Sequence, residues 1–135
     1  MATWTLPHLF TDETGLSHVD FGFTRVLQLT EFAPPAPPMH VGFASDADAL
    51  TFVELPVGWH GGWHPSPRAQ WVICLAGVME YQAGDGTRFT LHPGTCILTT
   101  DTTGQGHDSW NAGSEPIRLA LVQMNTPICN DVCSR

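Results

Sequence analysis

An all-β barrel is the fold this sequence predicts, on three observations. From Val41 onward, apolar runs of strand length at 50–55, 69–82, 87–91, 95–100 and 117–124 alternate with Gly, Pro and Asp. The triplet Gly84-Asp85-Gly86 between Tyr81 and Phe89 is a hairpin turn signal. No stretch carries a long amphipathic helical period, and regular short strands between turn residues build sandwiches or barrels.

Taken in order, residues 1–20 show no clear period and read as an arm that packs on, or extends from, the body. Phe21 to Phe32 reads as extended. Four prolines in Ala33-Pro-Pro-Ala-Pro-Pro38 impose polyproline-like backbone, which forbids helix and central strand and predicts a loop crossing the surface. The segment Trp71-Val-Ile-Cys-Leu-Ala-Gly-Val-Met79 is apolar at both parities, so a strand there is covered on both faces: one looks into the barrel, the other meets a second sheet, the arm or another subunit. A homodimer is expected on that ground. Residues 1–38 are therefore read as an N-terminal arm and proline-rich connector, 39–125 as the barrel and 126–135 as a C-terminal tail.

The chain of 135 residues is the size of one ordinary domain. Its formal charge of −8 and lack of any lysine argue against nucleic acid as a partner, because phosphate binding needs clustered cations and the five arginines are scattered singly. Lysine Schiff-base chemistry and a P-loop are excluded with it. No apolar run is long enough to span a membrane, and residues 1–10 lack the basic and apolar regions of a secretory signal, so a soluble, cytoplasmic protein is expected. Cys74 and Cys96 sit in apolar runs as buried small hydrophobes; Cys129 and Cys133, four apart, read as tail thiols able to form a local disulfide.

The chemistry concentrates in Gly58-Trp-His60-Gly-Gly-Trp-His64-Pro-Ser66-Pro-Arg68-Ala-Gln70-Trp-Val-Ile-Cys-Leu-Ala-Gly77. Its spacing resembles the first motif of the cupin superfamily, Gly-x5-His-x-His-x3-Glu-x6-Gly, with every interval retained but Ser66 and Gln70 in place of a His and the Glu. Downstream, Gly94 followed by Gly104-Gln-Gly-His107-Asp-Ser-Trp-Asn111 is similar to the second motif, with a loop two residues longer and Thr102 at the usual Pro. The resemblance implies a small single-domain cupin, a double-stranded β-helix or jelly roll, with a site inside the barrel. By position, the family's metal ligands become His64, Ser66, Gln70 and His107.

Because a serine hydroxyl is a poor ligand at neutral pH and an amide oxygen a weak one, the expected metal set is His64, Gln70 and His107 around one divalent ion, Mn, Fe, Ni, Co or Zn. The alternative is a metal-free site. His60, sharing parity with His64 but about 13 Å away along a regular strand, is placed at the pocket mouth as a catalytic acid or base, with Glu54 as a second proton carrier if it points inward. Trp63, Ser66, Arg68 and Trp110 are assigned to the substrate pocket. Arg68 is read as an anchor for a substrate carboxylate or as a structural partner of Asp101 or Asp108; Trp59, Trp63, Trp71 and Trp110 form either an aromatic wall or core packing. His8, His18, His40 and His92 are given no functional role. The resemblance thus implies a small-molecule enzyme of the lyase, isomerase, cyclase or dioxygenase type acting on an apolar or aromatic metabolite. The other reading is a metal-free cupin that binds a small ligand or has a structural or regulatory role.

Overall fold

The computed structural model describes residues 2–42 and 46–125, and among these it contains strands and no helix. In chain order the strands are β1 (Ala2–Thr11), β2 (Ser17–Thr30), β3 (Met39–Val41), β4 (Ala49–Leu55), β5 (Ala69–Ala76), β6 (Met79–Gln82), β7 (Arg88–Leu91), β8 (Cys96–Thr99), β9 (Asp108–Asn111) and β10 (Ile117–Met124). A seven-stranded sheet runs β3-β2-β1-β8-β5-β10-β4, and a three-stranded sheet runs β7-β6-β9. The core lies between them: Leu9, Leu55, Val72, Cys74, Ile97 and Leu119 from the large sheet meet Met79, Tyr81 and Leu91 from the small one. This is the expected all-β barrel.

The segment read as an arm enters the large sheet. Asp12 turns the chain between β1 and β2, its Oδ1 accepting from the Thr14 and Leu16 N–H groups, and Gly15 takes the φ of +90° the turn requires. β1 then pairs with β8 in parallel through His8 opposite Leu98 and Leu9 opposite Thr99, which buries Leu9 completely. The proline-rich residues 33–38 are exposed and link β2 to β3. Cys129 and Cys133 lie outside the described residues.

β5 is covered on both faces, as its double parity predicts. Val72 and Cys74 point into the barrel, while Trp71 packs outside with Phe23, Leu98 and Met124 and the half-buried Leu6 and Val122. Part of the cover of the outer face is therefore the N-terminal hairpin itself, but Leu50, Phe52 and Leu75 on that outer face stay exposed. At the other side of the barrel, Gly84-Asp85-Gly86 closes the β6–β7 hairpin with Tyr81 opposite Phe89, as the turn residues predict.

Registers collect the polar residues at one end. Gln70 on β5 is opposite Thr99 of β8 on one side and Gln123 of β10 on the other. Asp101, Asn125 and Arg68 each lie two residues beyond these, on the same face in the next tier. The loop that carries His107 into this tier is tied down by Ser17, whose Oγ donates to the Gly106 carbonyl and accepts from the Gly84 N–H.

Candidate functional site

Segment 59–64 runs antiparallel to β9, with Asn111 N–H on the Trp59 carbonyl and Gly61 N–H on the Ser109 carbonyl. It then gains one residue and closes on a two-way backbone bridge between His64 and His107, both N···O distances being 3.0 Å. Glycine makes this bridge possible. A Cβ on Gly106, whose φ is +75°, would fall inside the His64 carbonyl.

The bridge sets the two imidazole rings 4.8 Å apart between centroids. His107 Nδ1 is 2.6 Å from Asp101 Oδ2, and since a carboxylate only accepts, Nδ1 carries the proton. His64 Nδ1 is 2.6 Å from the Gly62 carbonyl and donates for the same reason. With Nδ1 as the donor, the neutral form of each ring presents Nε2 as a lone pair. Asp101 is wholly buried and its other oxygen accepts from Ser66 Oγ at 2.8 Å, while its carbonyl accepts from the Ser66 N–H. The carboxylate is thus fully engaged in holding the histidine from behind.

Tyr81 and Ser109 complete the inner wall. They are opposite each other in the β6–β9 pair, both buried; the Tyr81 ring stacks on Phe89 and lies 5.4 Å from His107. Burial, reinforced by the negative charge of Asp101, pushes the Tyr81 phenol far above its ordinary value, so it keeps its proton. Ser109 Oγ is buried and makes no hydrogen bond among the described residues.

Of the residues singled out in the sequence, the structure brings together His64, His107 and Ser66, with Ser66 acting through Asp101. Gln70 is buried at the same end, its amide oxygen accepting from Gln123 Nε2 at 3.0 Å. His60 points to the opposite side of its segment, its side chain 60% exposed and hydrogen-bonded to Asp108 at 2.9 Å, because the residue gained between the His60–Trp110 and His64–His107 bridges reverses the alternation. Glu54 is also on the outside, 55% exposed and paired with Arg118, since Val53 and Leu55 take the inward positions of β4. That leaves it solvated and remote from a buried proton path. The tryptophans do not form one wall: Trp71 is in the outer cluster, Trp110 sits outside with His60 and Arg88, and Trp63 is exposed. Trp59 alone flanks the site, its ring and His64 lying on either side of Gly61. Asn111 serves the fold, its amide donating to the Pro56 and Glu115 carbonyls.

Asp101, Tyr81 and Ser109 are the site residues that motif reading passes over. Parity would have found them: Ile97-x-Thr99-x-Asp101, Met79-x-Tyr81 and His107-x-Ser109 each alternate inward from a core residue or a motif histidine.

A barrel of two β-sheets with motif histidines gathered at one end defines a cupin. The family of cupin domains matches residues 51–123, from β4 to β10, and the chain belongs to that family. Among solved structures, a conserved Streptococcus pyogenes protein of unknown function is similar at 20% identity, with a TM-score of 0.42 over 64% of this chain and 72% of that one. The cupin domain of Schizosaccharomyces pombe Cnp3 is similar at 21% identity, with a TM-score of 0.40 over 74% and 81%. No curated protein matches the chain. Among the described residues no helix is long and apolar enough to cross a membrane.

Proposed function

We propose that this cupin is an enzyme acting on a small organic molecule at the His64–His107 end of the barrel, by lyase, isomerase or cyclase chemistry assisted by a divalent ion. The observation that supports it is the paired orientation of the two imidazoles, each with Nδ1–H spent on a fixed oxygen acceptor and Nε2 left as a donor atom. A carboxylate behind a histidine is how proteins orient metal-ligating imidazoles. The residues therefore fit an ion held by His64 and His107, with the remaining positions open to water or substrate. Bound there, the ion would polarise a substrate oxygen. Two strong ligands favour proton transfer over the dioxygen chemistry of iron, which relies on three.

The chain's own groups supply the rest. Tyr81 keeps its proton and would offer it as a hydrogen bond to a substrate oxygen, and Ser109 Oγ would offer a second. Trp59 and Phe89 exclude water from the wall.

A metal-free reading, in which His107 Nε2 is itself the base or a hydrogen-bond acceptor for a bound metabolite, is favoured by one observation: among the described residues no three His, Cys, Asp or Glu side chains converge on a common point. Elemental analysis of the purified protein, after loading with Mn, Fe, Co, Ni or Zn and dialysis, separates the two. Near one equivalent of a single ion, lost in His64→Ala and His107→Ala, supports the first. No retained ion in a folded protein retires it in favour of the second. The exposed row of Leu50, Phe52 and Leu75 further supports pairing of two copies through the outer sheet face, which a monomer mass by light scattering would remove.

A further inference from the structure

Arg68 is the group at this end of the barrel whose charge the histidine pair does not use. Its half-buried side chain reaches the end of β10, where Nη1 donates to Asn125 Oδ1 at 2.5 Å and Nη2 to Gln123 Oε1 at 3.5 Å. Both acceptors are neutral amides. Ion pairs among the described residues include His18 with Asp12 and Asp85, His60 with Asp108, His107 with Asp101 and Arg118 with Glu54, and Arg68 takes part in none of these. Among the described residues, Asp101 is committed to Ser66 and His107, and Asp48 to the Asn125 N–H. The sequence offers thirteen acidic residues for five arginines, yet among the described residues the hydrogen-bond partners of this guanidinium are amides. Withdrawing a cation from water toward neutral acceptors recovers only part of its hydration, and an anion restores it.

Arg68 shares its tier with Asp101 and follows His64 and Ser66 at alternate positions, so it borders the same space as the imidazoles. A guanidinium has five N–H donors, and two are engaged among the described residues. The remaining ones form the planar fork that matches a carboxylate at two points.

We infer that Arg68 is the anion subsite of this barrel end and that the substrate is an organic monocarboxylate. Gln123 and Asn125 orient the guanidinium, the carboxylate docks on its free edge, and the rest of the molecule extends toward His64, His107 and Tyr81. A single cation among neutral amides balances one negative charge, which favours a carboxylate over a phosphate dianion. The inference rests on the reading of this end as the active site.

Calorimetric titration of the full chain with acetate, benzoate and phenylacetate, their carboxamides and inorganic phosphate tests it. Expected is binding of at least one carboxylate about tenfold tighter than its amide, the size of one charge-assisted hydrogen bond. Arg68→Gln should cost the carboxylate at least that factor while leaving its amide and the thermal midpoint unchanged, and Arg68→Lys should lie between. Equal binding of acid and amide, indifference to Arg68→Gln, phosphate binding in place of the carboxylates, or no carboxylate binding at millimolar concentration each overturns it. The two proposals fail separately. Carboxylate binding that depends on Arg68 in a protein retaining no ion leaves the subsite standing without the metal, and an ion retained by His64 and His107 with no carboxylate binding does the reverse.

Discussion

Replacing Asp101 isolates what its charge contributes, because two substitutions separate charge from hydrogen bonding. In Asp101→Asn the amide oxygen accepts from His107 Nδ1–H, and the amide NH2 donates to Ser66 Oγ, whose hydroxyl rotates to accept. Both bonds survive and only the charge assistance is lost, about 1 kcal/mol for each, or about 2 kcal/mol in total. Asp101→Ala instead leaves the Ser66 hydroxyl and the His107 N–H without partners in a wholly buried site, at about 1–3 kcal/mol each, so about 4 kcal/mol. At about 4 °C per kcal/mol for a domain of this size, the thermal midpoint should fall by about 8 °C in the first variant and about 16 °C in the second. Nitrogen-15 NMR of the histidine rings supplies the second readout: the Nδ1–H form of His107 persists in Asp101→Asn and loses its preference in Asp101→Ala. Midpoints of both variants within about 2 °C of the parent, or an Asn variant no more stable than the Ala one, would refute the account of Asp101 as the group that orients His107.

Gly106→Ala should be worse than either: the positive φ costs about 1–2 kcal/mol and the new methyl group displaces the His64 carbonyl, so amide spectra should show the His64–His107 bridge broken, and an unchanged spectrum removes the claim. Leu9→Ala should lower stability by about 2–5 kcal/mol in urea titration, since Leu9 is completely buried against β8; a loss under about 1 kcal/mol would mean that the N-terminal strand is an accessory. His18 links the β1–β2 turn to the β6–β7 hairpin, 2.6 Å from Asp12 and 3.0 Å from Asp85. The Asp12 hydrogen bond, against some desolvation, raises His18 above the ordinary 6.5, so its contribution is full below that value and is lost as pH rises through the higher folded one. Asp12, bonded to Thr14 and His18, is lowered from 3.8, so its contribution is present above that value and is lost as pH falls through the lower folded one. The midpoint gap between the parent and His18→Gln should therefore be largest near pH 5.5 and shrink toward pH 9, and a gap constant over that range contradicts the linkage.

The barrel was legible because its signals are local. A glycine triplet makes a hairpin whatever surrounds it, and the double parity of Trp71 to Leu75 demands cover on both faces. The destiny of residues 2–11 was not local. Their strand lacks a clean period because its two ends face different neighbours: Leu9 enters the core, and Leu6 joins the outer cluster through the register irregularity between Leu6 and His8. Only the pairing of β1 with both β2 and β8 resolves that pattern, and such pairing joins residues about ninety positions apart in the chain.

The same distinction explains the site. Motif spacing located His64 and His107 because each stands at a fixed interval from a turn glycine. Gly106, with its positive φ, precedes His107 directly and lets the two backbones meet. Spacing misplaced the carboxylate. With glutamine at position 70, the motif-adjacent carboxylate in the sequence is Glu54 on the preceding strand, whereas the structure supplies the negative group from Asp101, two residues past Thr99 on the strand hydrogen-bonded to Gln70. A carboxylate approaching from behind His107 cannot occupy a position in front of the ring, so the substitution at 70 changes the role of charge in this cupin. It orients an imidazole instead of offering an oxygen ligand. Ser66 follows from that change, since a histidine there would place a ring where a hydroxyl now donates to Asp101. The two departures within the first motif are therefore one rearrangement, in which the charge moves behind His107 and the ligand atoms are reduced to a pair of imidazole nitrogens.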